Sequence, residues 1–234
     1  MSNDLHNYPT PSVTVDCVVF GYDGTDLSVL LIQRKEAPFE SMWTIPGGFL
    51  WMEETFETTA NRILATKAGL QGIFLEQLYT FGAIDRDPRK RVLSVAYFAL
   101  VNPSNYQVVA GDAADEAKWF PLSELPALGF DHQDVIQVAQ QRLKAKVIYQ
   151  PIGFELLDEQ FTLTELQHLY ETILEQSIDK RNFRKKILET GVLKNTGLKR
   201  TGVKNRAPEL YEFNKEAYLG KVGFELPIFN PYRI

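Results

Sequence analysis

The chain has 234 residues, a formal net charge of −5, 44% hydrophobic and 12% aromatic residues. That much apolar side chain excludes a solvated, disordered polypeptide, and the length suffices for two hydrophobic cores. No apolar run approaches the roughly 20 residues of a membrane span, Met1–Tyr8 lacks a signal-peptide pattern, and the single Cys17 excludes an internal disulfide, so a cytoplasmic protein is expected.

In chain order, Val13–Phe20 and Leu27–Arg34 are apolar, β-branched runs around Gly21-Tyr-Asp-Gly24, which predicts two strands and a hairpin turn. Glu54–Lys67 has helical character, with Gly69 placed as its C-terminal cap. Leu75–Phe81 and Val92–Val101 predict further strands, and Asp131–Lys146 repeats apolar residues as a helix does. Pro151 and Gly153 then mark a boundary, which divides the chain into residues 1–150 and 151–234. Beyond it, Thr162-x-x-Glu165 is a capping box before the apolar face Leu163, Leu166, Leu169, Tyr170, Ile173 and Leu174. Asp179 caps a second helix that should turn Phe183, Ile187 and Leu188 inward and end at Gly191. Val192-Leu193 and Leu210–Phe213 flank a basic stretch as strands flank a wing, and the sum is α+β.

The negative charge is unevenly spread. Residues 1–150 carry 12 Lys and Arg against 18 Asp and Glu, and residues 151–234 carry 13 against 12. Within Lys180–Arg206 ten basic residues face one acid, Glu189. An ordinary solvated helix face would intersperse acids, so this patch points to nucleic acid.

Gly48-x5-Glu54-x7-Arg62 and Gly69-Leu70 match the two ends of the Nudix box, and the chain resembles the Nudix superfamily over roughly residues 12–148. The resemblance implies a mixed-sheet α/β/α sandwich. It also implies glutamates at positions 63, 66 and 67, one helical face on which carboxylates hold the divalent ions of a hydrolase. Ile63, Thr66 and Lys67 stand there instead. No catalytic residue, no metal and no cofactor are therefore expected. Glu54 with Arg62 reads as a brace between loop and helix, and Glu53 and Glu57 as solvated acids.

Phe81–Arg91, containing Asp85-Arg86-Asp87-Pro88-Arg89, is similar to the loop of Nudix enzymes that handle ADP-ribose and of regulators derived from them. Forked Arg donors suit phosphates, and carboxylates suit sugar hydroxyls; the plainer reading is an Asp-Pro turn whose charges solvate it. An effector site of Arg34, Phe49, Asp85, Arg86, Asp87 and Arg89 is expected. Trp43 and Phe49 could line a pocket or fill the core.

Phe161–Leu174, a short break, Asp179–Thr190 and a basic loop between strands follow the order of a winged helix-turn-helix. Its expected DNA contacts are Lys180, Arg181, Asn182, Arg184 and Lys185 on the helix, and Lys199, Arg200, Lys204 and Arg206 in the wing. Asp179–Lys185, Thr196–Thr201 and Ala207–Tyr211 are similar to the Nudix-related transcriptional regulators of bacteria, NrtR/AraR-like, so the resemblance covers nearly the whole chain. It implies a homodimeric repressor of a palindromic double-stranded operator, whose effector is ADP-ribose or a pentose such as L-arabinose. Two other readings stand beside it. One is an active Mg-dependent ADP-ribose or nucleoside-diphosphate-sugar pyrophosphatase. The other is a single-stranded nucleic-acid factor, for which the basic segment lacks interleaved aromatics. The tail from Gly220 to Ile234 carries no assigned role.

Overall fold

The computed structural model describes residues 9–111, 114–150, 152–202 and 207–219. By contacts the chain forms two units, one of residues 1–19, 30–99 and 107–137, the other of residues 20–29, 100–106 and 138–234.

The first hairpin is β1 (Ser12–Tyr22) with β2 (Leu27–Arg34), antiparallel, with Phe20 opposite Val29. Val15 and Cys17 to Phe20 are fully buried along β1, which is why its sequence is apolar on both faces rather than alternating. The short β3 (Trp43–Thr44) pairs with β2, and β4 (Gly47–Phe49) with β1. Helix α1 (Phe56–Ala68) starts two residues later than the sequence suggests, because Thr55 and Thr58 exchange cap hydrogen bonds of 3.2 and 2.8 Å. Gly69, at φ 72°, ends it in the left-handed region. β5 (Glu76–Phe81), β6 (Val92–Val101) and β7 (Ala114–Pro121) complete a seven-stranded sheet ordered β3-β2-β1-β6-β5, with β4 beside β1 and β7 beside β2. Helix α2 (His132–Tyr149) buries Val135, Ile136, Ala139, Leu143 and Val147 on one face.

In the second unit, α3 (Leu163–Leu174) begins at the expected capping box. Glu165 N donates to Thr162 Oγ1 at 3.2 Å, and Thr162 N donates to Glu165 Oε2 at 2.7 Å. Asp179 caps α4 (Lys180–Glu189) by accepting from Asn182 N at 2.8 Å. Phe183 and Ile187 are buried, and Phe183 meets Tyr170 edge-on at 5.4 Å. Leu188 corrects the sequence reading: it is 43% exposed, because the residue after Ile187 is rotated by about 100° away from α3. The wing is β8 (Leu193–Lys199) paired with β9 (Glu209–Phe213), and Phe161 adds a bridge to Tyr211 through reciprocal hydrogen bonds of 3.0 and 2.8 Å. The short α5 (Lys215–Leu219) follows.

Candidate functional site

Around the Nudix-like box the conserved-looking geometry is structural. Arg62 grips Glu54 with two hydrogen bonds, Nε to Oε1 at 2.6 Å and Nη2 to Oε2 at 2.7 Å, and its Nη2 also reaches Phe49 O at 2.9 Å. The Trp51 ring lies 3.8 Å from the Arg62 guanidinium carbon. Arg62, with Thr59 donating a further hydrogen bond, holds the Glu54 carboxyl down to about 2. This is the brace expected between loop and helix. Glu57 is less free than expected: it accepts from the buried Tyr97 hydroxyl at 3.1 Å.

On α1, Ile63 is buried, Thr66 donates back to Arg62 O at 2.7 Å, and Lys67 Nζ donates to the carbonyl of Gly47. Gly47 has to be glycine, since a Cβ there would stand 2.0 Å from Asp16 Oδ1. Among the described residues no group of three or more His, Cys, Asp or Glu is placed to hold a metal ion.

Beside this face lies a cleft of about 200 Å³ whose lining includes Arg34, Glu36, Phe49, Lys67, Arg86, Asp87, Arg89 and Phe130, together with the buried Asp16 and His132. Five of the six expected effector residues thus come together; Asp85 is exposed and does not line the cleft. Their states differ. Arg86 is buried and donates from Nε and Nη2 to Asp131, at 2.9 and 2.7 Å, and from Nη2 to Asp16 at 3.1 Å. Arg89 is clasped by Asp87 at 3.0 and 2.7 Å, and this contact lowers the Asp87 carboxyl pKa. Arg34 donates only to the carbonyls of Pro38 and Glu36, at 2.9 and 3.2 Å, over the Phe130 ring at 5.1 Å. Among the described residues neither Arg34 nor Lys67 makes an ion pair, so these two are the cleft's cations held by carbonyls alone. Phe49 lines the cleft, while Trp43 packs edge-on against Phe120 at 4.7 Å.

Sequence reading missed Asp16, Lys67 as a lining residue, Phe130 and His132. Asp16 had a signal: an acid inside the otherwise largely apolar run Val13–Phe20 calls for a polar or cationic partner once buried. His132 Nδ1 accepts from Ile45 N at 3.2 Å, and burial lowers its pKa, which keeps it neutral.

On α4 Lys180, Arg181, Asn182 and Lys185 are exposed, with Arg181, Asn182 and Lys185 turned away from the buried Phe183 and Ile187 and Lys180 in the first turn. Lys185 is 3.9 Å from Glu189. Arg184 lies half-buried and donates from Nη2 to Thr164 Oγ1 at 3.1 Å, and among the described residues its buried Nε has no partner. In the wing Lys199 is exposed, whereas Arg200 donates to both oxygens of Glu165, at 2.6 and 2.5 Å. Lys204 and Arg206 lie outside the described residues, as does the segment from Gly220 to Ile234.

Two families match: the NUDIX domain over residues 10–139 and the NrtR DNA-binding winged helix domain over residues 153–213. The chain is 38% identical to the ADPR responsive transcriptional repressor NtrR of Acinetobacter baylyi, over 91% of this chain and 86% of that protein. It is similar to Shewanella oneidensis NrtR solved with a 27-mer DNA, at 37% identity and a TM-score of 0.78, covering 88% of this chain and 95% of that one. The NUDIX domain of the same Shewanella protein, solved with ADP ribose, matches at 36% identity and a TM-score of 0.54, over 61% of this chain and 94% of that one. With α1 and its box in the first unit and the helix-turn-helix and wing in the second, the chain belongs to the NrtR family of transcriptional regulators, a Nudix domain followed by a winged helix.

Proposed function

We propose that the protein is a cytoplasmic, homodimeric repressor that binds a double-stranded operator through α4 and the wing and responds to ADP-ribose bound in the Nudix cleft, without hydrolysing it. Residues 1–150 form the effector half and residues 151–234 the DNA-binding half in this reading. The observation that carries it is the arrangement of α4. Phe183 and Ile187 anchor the helix, which leaves Lys180, Arg181, Asn182 and Lys185 in solvent as phosphate and base-edge donors. Lys199 extends the same role into the wing, and Arg184 positions the helix through Thr164.

For the effector, Arg34 and Lys67, held by carbonyls alone, favour an anionic ligand, and Phe49 and Phe130 offer rings to a base or sugar. A neutral pentose would leave both cations without an ion pair. The cleft is smaller than the roughly 300–1,000 Å³ of whole-ligand pockets, which suits the diphosphate and one ribose with the rest outside. Ile63, Thr66 and Lys67 replace the metal-holding glutamates, which supports the absence of turnover.

Calorimetric titration with ADP-ribose, followed by chromatography of the same sample after incubation with Mg²⁺, tests this reading. Saturable binding with no AMP formed is expected. Mg²⁺-dependent release of AMP would make the protein a pyrophosphatase instead.

A further inference from the structure

The Nudix fold implies a divalent ion against the α1 face, and the residues here do not fit one. Ile63 has no lone pair, Thr66 turns its hydroxyl back to Arg62 O, and Lys67 brings a positive charge onto the carbonyl of Gly47. The buried Asp16 carboxylate accepts through Oδ2 from Arg86 and from the Ser94 hydroxyl.

We propose that the Lys67 ammonium is the cleft's resident cation, standing where the family's metal would stand, and that it binds the effector's diphosphate directly, so that effector binding is independent of divalent metal. This rests on the effector reading above and assigns Lys67 a role that sequence reasoning gave it only as an obstacle to metal. An ammonium has three donors, and Gly47 O takes one, so two are left for a ligand. Lys67 makes no ion pair among the described residues, and Asp16 and Glu36 act on it only at longer range. Burial first, and then the Arg34 charge, lower its pKa. A diphosphate would answer both cations at once. A dication entering the same space would meet the charges of Lys67 and Arg34, with the exposed Glu36 as the one lining carboxylate, among the described residues, that no ion pair engages.

The test measures affinity for ADP-ribose in EDTA and in Mg²⁺, and for inorganic pyrophosphate in EDTA, using the full chain and its Lys67→Met and Lys67→Arg variants. Electron paramagnetic resonance of added Mn²⁺ is read in parallel. Removing a half-buried charge leaves the fold intact, which a melting curve verifies. Wild-type affinity for ADP-ribose should be the same in EDTA and Mg²⁺, and the free Mn²⁺ signal should be undiminished. Lys67→Met should weaken both ligands by about tenfold or more, while Lys67→Arg keeps most of the affinity. Unchanged binding by Lys67→Met, or Mg²⁺-dependent tightening in the wild type, overturns the proposal and leaves the effector reading standing. A wild type that binds neither ligand under either condition overturns both.

Discussion

Glu165 serves two partners: it closes the cap of α3 through Thr162 N and pairs through both oxygens with Arg200 of the wing. Arg200 therefore has its charge already matched, unlike Arg181 on α4. The expected consequence is an order of effects on duplex binding. Arg181→Ala should flatten the plot of log affinity against log salt by about 0.9, one phosphate contact, and Arg200→Ala by less. Glu165→Ala should cost about 1 kcal/mol of stability, since Thr162 N loses its acceptor and Arg200 its partner while Thr162 Oγ1 still caps the helix. Fluorescence anisotropy across a salt series and urea denaturation read the two effects.

Arg184 and Arg181 are one turn apart on α4 but differ in surroundings. Arg181→Ala combined with Arg184→Ala should abolish operator binding while ADP-ribose affinity is unchanged. Alone, Arg184→Ala should also lower stability, because its guanidinium is tied to Thr164, whereas Arg181→Ala should not. Equal operator binding by the double variant would show that α4 is not the recognition helix.

Arg86 lies in the cleft, yet its guanidinium is spent on Asp16 and Asp131 and its side chain is only 3% exposed. Arg86→Ala leaves the buried Asp16 and the part-buried Asp131 without a cation and should destabilise the protein by about 3–5 kcal/mol, measured by urea denaturation. Lys cannot span both partners with a fork, so Arg86→Lys should recover only part of that loss.

These cases also mark what the sequence could tell. Caps, hairpin and helices were legible because they depend on neighbours three or four residues apart, as at Thr162–Glu165, Asp179 and Gly69. The brace Glu54–Arg62 was legible from the box spacing. The allocation of charges was not, since it depends on residues distant in the chain. Arg86 and Arg200 read in the sequence as free cations, whereas Asp16 and Asp131 are brought to the first and Glu165 to the second. Leu188 went astray for a simpler reason: being apolar, it was assigned inward although the helical phase of Phe183 and Ile187 puts it outside.

Acid should destabilise the protein in two steps. The buried His132, facing Asp16, Asp131, Arg86 and Arg34, has its pKa lowered by burial. The unfolded chain thus takes up a proton more readily, so its contribution is complete above about pH 6.5 and declines as pH falls below that value. Glu54, held down to about 2 by Arg62, contributes above its ordinary 4.5 and is lost as pH falls from 4.5 towards 2. Urea midpoints should fall between pH 7 and 5.5 in the wild type and fall less in His132→Asn; in Glu54→Gln the drop below pH 4.5 should be reduced.

The central claim is linkage between a Nudix cleft and a winged helix, and linkage is reciprocal. The most direct measurement is anisotropy of a labelled duplex from the promoter beside the protein's own gene, titrated at fixed moderate salt with and without ADP-ribose or L-arabinose. Sequence-preferring binding is predicted, with a midpoint moved by ADP-ribose and not by L-arabinose, and with the same factor recovered when DNA is added to an ADP-ribose titration. Absence of sequence-preferring duplex binding, or a midpoint that saturating ADP-ribose leaves in place, would contradict it.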